Sequence, residues 1–179
     1  MEKEGPSPAI TPARLKLLQE MPVFGGIRAD TLEYVLQKSL VVHLPKGEFF
    51  FLEGDEGDCA FVLEKGRAMF WKDFEGSRYP MRMLEEGECF GEMAMIGLYP
   101  RSGSTQAIDD CQAIKITYEM LYGLLRQQPE QCILMLMNMA RDLSRRLRVA
   151  DNLLMREWAK SKARKPLRQR AAKREWTPL

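Results

Sequence analysis

What this chain lacks narrows its chemistry before any motif is read. Histidine occurs once in 179 residues, as His43, so a histidine-rich metal site of the kind cupin-type enzymes use cannot be assembled. The four cysteines, Cys59, Cys89, Cys111 and Cys132, form no C-x-x-C pair, and three lie among apolar residues. That distribution suits reduced core thiols better than a disulfide framework or a zinc site. There is no Walker loop, nucleophile elbow or H-E-x-x-H, and the scattered carboxylates form no acid/base pair, so nothing argues for catalysis. The longest apolar run, Cys132 to Met137, falls far short of the ~20 residues that cross a bilayer. The N-terminus, with Glu2, Glu4 and scattered prolines, has no signal-peptide core, and a cytoplasmic location is expected.

What is present begins with punctuation. Gly47, Gly57, Gly66, Gly76 and Gly87 recur every 9 to 11 residues, the spacing of short strands in an all-β sandwich or barrel. Between them Phe49 to Glu53, Cys59 to Glu64, Arg67 to Asp73 and Arg78 to Leu84 are rich in aromatic or apolar residues and read as strands. Lys65-Gly66 and Glu75-Gly76-Ser77 read as hairpin loops, and Gly54 to Gly57 as a longer turn. Ser104 to Ala107 and Cys111 to Thr117 supply two more strands. The fold class is mainly β with flanking α: a β-roll of jelly-roll type with N-terminal helices and a long C-terminal helix.

Helix signals bracket that roll. Thr11-Pro12 starts a helix over Ala13 to Glu20, and Asp30-x-x-Glu33 predicts a capping box for Thr31 to Lys38. Tyr118 to Gln127 reads as a short helix ended by Pro129, and a long one follows from Glu130. The domain plan is an N-terminal segment over 1–22, the roll with its short helices over 23–127, the long helix over 128–158 and a basic tail over 159–179. Along the long helix Leu136, Ala140, Leu143, Leu147, Ala150 and Leu154 alternate steps of four and three, the seam of a two-stranded coiled coil, which predicts a homodimer.

The densest chemistry lies in F-G-E-M-A-M-I-G-L-Y-P-R-S-G-S-T, Phe90 to Thr105. A helix starting after Gly91 presents free N–H groups from Gly91 to Ala94, which favour an anion. Gly91 lets a ligand approach the backbone, Glu92 can accept from a sugar hydroxyl, and Arg101 offers a planar donor fork matched to phosphate. Sugar and phosphate are both addressed by residues in fixed order.

Those residues resemble the phosphate-binding cassette of the cyclic nucleotide-binding domain family: Phe90, Gly91, Glu92, Met93, Ala94, Met95, Ile96, then Pro100, Arg101, Ser102, Gly103 and Ser104. The similarity covers about Val23 to Ala150. It implies that Gly91 and Glu92 hold the ribose 2′-hydroxyl, Ala94 gives its amide to the cyclic phosphate and Arg101 neutralises it, with Met93 and Ser102 completing the ligand set. It implies cyclic AMP ahead of cyclic GMP as ligand, and Met95 and Ile96 as an apolar hinge that lets the long helix repack over the base. Arg146 falls where the bacterial activators of the family cap the base, as a stacking guanidinium or as a solvated helix flank. Gly103 stands where the family has alanine and Thr105 where it has an apolar residue, so the return strand is expected to lose a few tenths to ~1 kcal/mol. Some thirty residues follow Ala150, too few for the winged helix-turn-helix of those activators. The expected function is a cyclic nucleotide sensor that signals to an effector protein, with a Crp/Fnr-type regulator or nucleic-acid-binding protein as the alternative and a cupin-like enzyme as a remote one.

Charge is unevenly placed. Nine Lys or Arg between Arg156 and Leu179 face only Glu157 and Glu175, net +7, which leaves −5 for Met1 to Met155. Such a tail suits nucleic acid, an anionic surface or solvent. Contact of Lys160 to Arg174 with duplex DNA is expected to be independent of sequence, with a log–log salt slope of about −5 for some six neutralised phosphates. A filter-binding salt titration checks it.

Overall fold

The computed structural model describes residues 3–6 and 9–163. In chain order the elements are β1 (Lys3–Pro6), α1 (Pro12–Glu20), a 3-10 turn (Pro22–Phe24), α2 (Ala29–Lys38), β2 (Leu40–Leu44), β3 (Phe49–Phe51), β4 (Cys59–Lys65), β5 (Ala68–Phe74), β6 (Ser77–Leu84), β7 (Cys89–Phe90), α3 (Glu92–Gly97), β8 (Ser104–Ala107), β9 (Cys111–Thr117), α4 (Tyr118–Gln127) and α5 (Pro129–Ala163). Two antiparallel sheets form the roll, in strand orders β1-β2-β9-β4-β7 and β3-β8-β5-β6. The β-roll with flanking helices is the fold that the glycine spacing predicts.

Strand patterning explains the layering. Alternate residues of a strand face opposite ways, and β2, β4 and β9 each send buried apolar residues to both sides. Val41, Ala60, Val62, Ile114 and Ile116 join one buried cluster with residues of α1, α2, α4 and the start of α5. Val42, Phe61, Leu63 and Ala113 join a second cluster inside the roll with Phe50, Phe51 and Phe90. The five-stranded sheet is thus covered on both faces, which is why β4 reads as an unbroken apolar run.

Two local expectations are corrected. Lys65-Gly66 is not a hairpin loop, because β4 pairs with β7 and β9 whereas β5 pairs with β6 and β8. The turn carries the chain from one sheet to the other, and Gly66 passes so close to the next crossing that a Cβ there would lie 2.7 Å from the Asp110 carbonyl oxygen. The true hairpin is Glu75-Gly76 between β5 and β6, both residues left-handed at φ 49° and 75°, the pairing a tight two-residue turn requires. Nor does Asp30 cap α2: the helix begins at Ala29 with Arg28 as N-cap and no side-chain cap. Asp30 instead pairs with the Arg28 guanidinium at 3.1 Å, and the Arg28 amide donates to Gln131 Oε1 on α5 at 2.9 Å.

Side-chain caps and a proline set the other helix starts. Thr11 Oγ1 accepts from the Arg14 amide at α1, Thr117 Oγ1 accepts from the Met120 amide at α4, and Pro129 opens α5. Cys132, Met135 and Met139 turn one face of α5 into the helix-side core, while Leu136 is exposed. The chain divides into two units, Met1–Asp142 and Leu143–Leu179. In the second, Lys160 pairs with Glu157 at 2.6 Å; Arg164 to Arg174, most of the basic segment, lie outside the described residues. Among the described residues no helix is long and apolar enough to cross a membrane.

All four cysteines are buried and reduced, and burial pushes the thiols of Cys59 and Cys111 up to about 11. The native protein is therefore expected to show almost no reaction with a thiol reagent at pH 8, and four reactive thiols per chain in denaturant, measured by absorbance.

Candidate functional site

The cassette is built from three close approaches. Gly91 is the N-cap of α3 with φ 77° and ψ −5°, a left-handed conformation that favours glycine. A Cβ on it would lie 2.7 Å from Arg101 Nη1 and 3.2 Å from the Phe51 ring. At Gly57, in the turn after β3, a Cβ would overlap that of Ala94 on α3 at 2.2 Å. At Gly103 it would meet the Trp71 carbonyl oxygen at 2.4 Å and the Phe70 ring at 2.5 Å. The space an alanine would need at 103 is therefore filled by β5, and the expected loss of packing does not occur there.

Arg101 is the centre of this arrangement. Its backbone is tied to the Gly54–Asp55 turn by two hydrogen bonds, Arg101 N–H to the Asp55 carbonyl at 2.8 Å and Gly54 N–H to the Arg101 carbonyl at 2.9 Å. The side chain runs inward and is 4% exposed. Nη1 donates to the carbonyls of Cys59 and Gly91, each at 2.7 Å, and Nη2 donates to Cys59 Sγ at 3.2 Å. The guanidinium carbon lies 4.3 Å from the centroid of the Phe51 ring, a cation–π contact strengthened by removal from water. Among the described residues no carboxylate pairs with it, and its Nε–H is buried with no hydrogen-bond partner. That Nε–H and the adjoining Nη2 hydrogen form one edge of the planar fork, the edge that grips phosphate or carboxylate bidentately.

Around it the structure gathers some of the residues the sequence singles out. Glu92 is 1% exposed and Ala94 4%, and both stand on α3 directly after Gly91. Met93 and Ser102 lie at the exposed rim, and the Ser102 carbonyl accepts from Lys72 Nζ at 2.7 Å. Lys72 also pairs with Glu53, whose carboxylate it holds below the usual range. Met95 is buried in the helix-side core with Met135 and Met139, and its carbonyl accepts from the Tyr118 hydroxyl, whereas Ile96 is exposed. Arg146 lies half-buried on α5 in the second unit. His43 is exposed on β2, and among the described residues no three His, Cys, Asp or Glu side chains are placed to hold a metal ion.

Two neighbours of Arg101 escape sequence reading, and one residue the sequence marks takes an unexpected setting. Cys59 looks like a packing residue, yet its carbonyl and thiol each take a donation from Arg101, and contact forty-two positions away leaves no local signal. Phe51 is one of three consecutive phenylalanines, and only the register of β3 shows which of them lies beneath the guanidinium. Thr105 is fully buried with Oγ1 lacking any hydrogen-bond partner, a condition that costs about 1–3 kcal/mol.

Comparison with known proteins finds relatives in sequence and in fold. The family model for the cyclic nucleotide-binding domain matches residues 41–128. The cyclic AMP receptor protein of Thermus thermophilus is 30% identical over 131 residues, 73% of this chain and 59% of that protein. The crystal structure of the Thermus thermophilus catabolite activator protein superposes with a TM-score of 0.66 at 29% identity, covering 74% of this chain and 61% of the other. A cyclic nucleotide-binding domain from Methylobacillus flagellatus has the same fold, with a TM-score of 0.74 over 87% of this chain and 89% of that one at 21% identity. The chain thus spans about three-fifths of the curated Thermus relative.

The two close approaches on α3 are testable without any ligand. Gly91→Ala must hold alanine at positive φ and displace Nη1, and Gly57→Ala must push Ala94 away. Each is expected to destabilise the domain by about 1–3 kcal/mol, lowering the melting temperature by roughly 2–4 °C per kcal/mol in a calorimetric scan.

Proposed function

Because this chain belongs to the cyclic nucleotide-binding domain family, we propose that it is a regulatory receptor for cyclic AMP whose bound state is passed along α5 to an effector protein. The observation that carries the reading is the unspent edge of a buried arginine. A guanidinium out of water with no carboxylate beside it is stabilised by an arriving anion far more than a surface arginine would be. Its Nε–H is unpartnered while Nη1 is held in place by two carbonyls. In this reading a cyclic phosphate takes the Nε/Nη2 edge and the Ala94 amide, and Glu92 and Gly91 take the ribose 2′-hydroxyl. Cyclic AMP is preferred over cyclic GMP on the strength of the relative named for it.

The relay starts at Met95. Movement of α3 toward the phosphate draws on a residue buried in the same core as Met135 and Met139 of α5, and in this reading repacking of that core carries the shift to the helix. The ligand drives this only through its preference for one packing over the other. No catalytic role is assigned: the site has a binding constellation and no acid/base or nucleophile pair.

The seam of α5 supports a homodimer. Leu136, Leu147 and Leu154 are 38%, 63% and 67% exposed, and the heptad spacing of apolar residues is that of two paired helices.

Isothermal calorimetry is expected to show Arg101→Ala binding cyclic AMP about 100-fold more weakly, from the loss of charge-assisted bonds in an enclosed site. Glu92→Gln is expected to cost less, since one acceptor oxygen remains. Wild-type affinity in Arg101→Ala would overturn the site. Sedimentation at tens of micromolar, an order-of-magnitude choice for a weak coiled coil, is expected to show a dimer, and Leu147→Asp a folded monomer.

A further inference from the structure

Resting on the receptor reading above, the geometry points to Thr105 as a specificity-determining residue: we propose that its hydroxyl hydrogen-bonds the nucleobase of the bound cyclic nucleotide at the edge where adenine and guanine differ. Thr105 sits on β8, directly opposite Phe51 of β3 on one side and Phe70 of β5 on the other. Directly opposed residues of antiparallel strands share a face, so Thr105 shares the face of Phe51, whose ring underlies the Arg101 guanidinium at 4.3 Å. The same face carries Ala107 and Ala68, both in the buried cluster inside the roll. Thr105 therefore stands on the sheet face that carries the ring beneath the Arg101 guanidinium, one strand over from Phe51.

Its chemistry is out of place there. The residue is fully buried, and Oγ1 has no hydrogen-bond partner. The adjacent hydroxyl differs: Ser104 Oγ accepts from the Glu53 amide at 2.9 Å. Valine has the shape of threonine and suits a strand at least as well, so neither packing nor strand propensity accounts for a hydroxyl at this position. A hydroxyl can donate and accept at once, which fits the mixed donor and acceptor edge of a purine. Arg101 and Ala94 are assigned to the phosphate and Gly91 and Glu92 to the sugar, so none of these four residues is assigned to the base.

The two roles of Thr105 pull measurable quantities in opposite directions. Removing the hydroxyl relieves the empty protein of an unsatisfied buried group and deprives the base of a contact. Thr105→Val, Thr105→Ser and the wild type are compared by thermal unfolding without ligand and by calorimetric titration with cyclic AMP and with cyclic GMP. The expected result is an unchanged or raised melting temperature for empty Thr105→Val. Its affinity for the preferred nucleotide is expected to fall about tenfold and for the other less than about twofold, with Thr105→Ser recovering most of the loss. Ser39, whose buried hydroxyl is also unpartnered but lies at the end of α2, serves as control, and Ser39→Ala is expected to leave both affinities unchanged. Equal weakening of both nucleotides by Thr105→Val, or none, overturns the proposal while leaving the receptor reading intact. Failure of the wild type to bind either nucleotide overturns the receptor reading and the proposal with it.

Discussion

A guanidinium taken out of water without a carboxylate beside it must be solvated by something else, and most of the structure between β3 and β8 is arranged to do that for Arg101. Two carbonyls and a thiol accept from it and a phenyl ring lies beneath it. Neutral dipoles of this kind hold the group in one orientation without cancelling its charge. The charge stays available at the remaining edge, where an anion would complete the shell. The glycines at 57, 91 and 103 follow from the same requirement, since each lets the backbone come nearer to this centre or its neighbours than a Cβ would permit.

Placement of the site on a shared sheet gives it consequences elsewhere. The five-stranded sheet has one face in the roll and the other under the helices, with separate buried clusters on its two sides. α3 begins in the roll at Gly91 and sends Met95 into the helix-side cluster, where Tyr118 of α4 also holds the Met95 carbonyl. A single short helix thus joins the cassette to the helix-side core. Close-packed interiors respond to such a displacement by switching between discrete packings instead of deforming smoothly, and α5 contributes Cys132, Met135 and Met139 to the core that would switch.

The departures from the family pattern are not alike. Gly103 is compensated sterically, because Phe70 and the Trp71 carbonyl occupy the volume a methyl would need. Thr105 is not compensated within the protein, since its hydroxyl is buried without a partner. A change that costs stability and is repaired by nothing nearby is most economically placed at a binding site, where local rules of packing yield to the ligand.

Most of the roll was legible in the sequence because its signals are local. Glycine spacing marks turns, apolar runs mark strands, and Thr11-Pro12 starts the helix that follows it. The order Gly91, Glu92, Ala94, Arg101 was equally legible, since a helix start and an arginine at fixed separation are close along the chain. Tertiary structure alone decided what long-range contacts decide. It showed that Lys65-Gly66 crosses between sheets, that the Arg28 amide is satisfied by Gln131 in place of a capping box, and that Cys59 and Phe51 form the cradle of Arg101. It also decided that the Thr105 hydroxyl is stranded, because burial and hydrogen-bond satisfaction depend on which strands lie alongside, and that information is held in no single segment of the sequence.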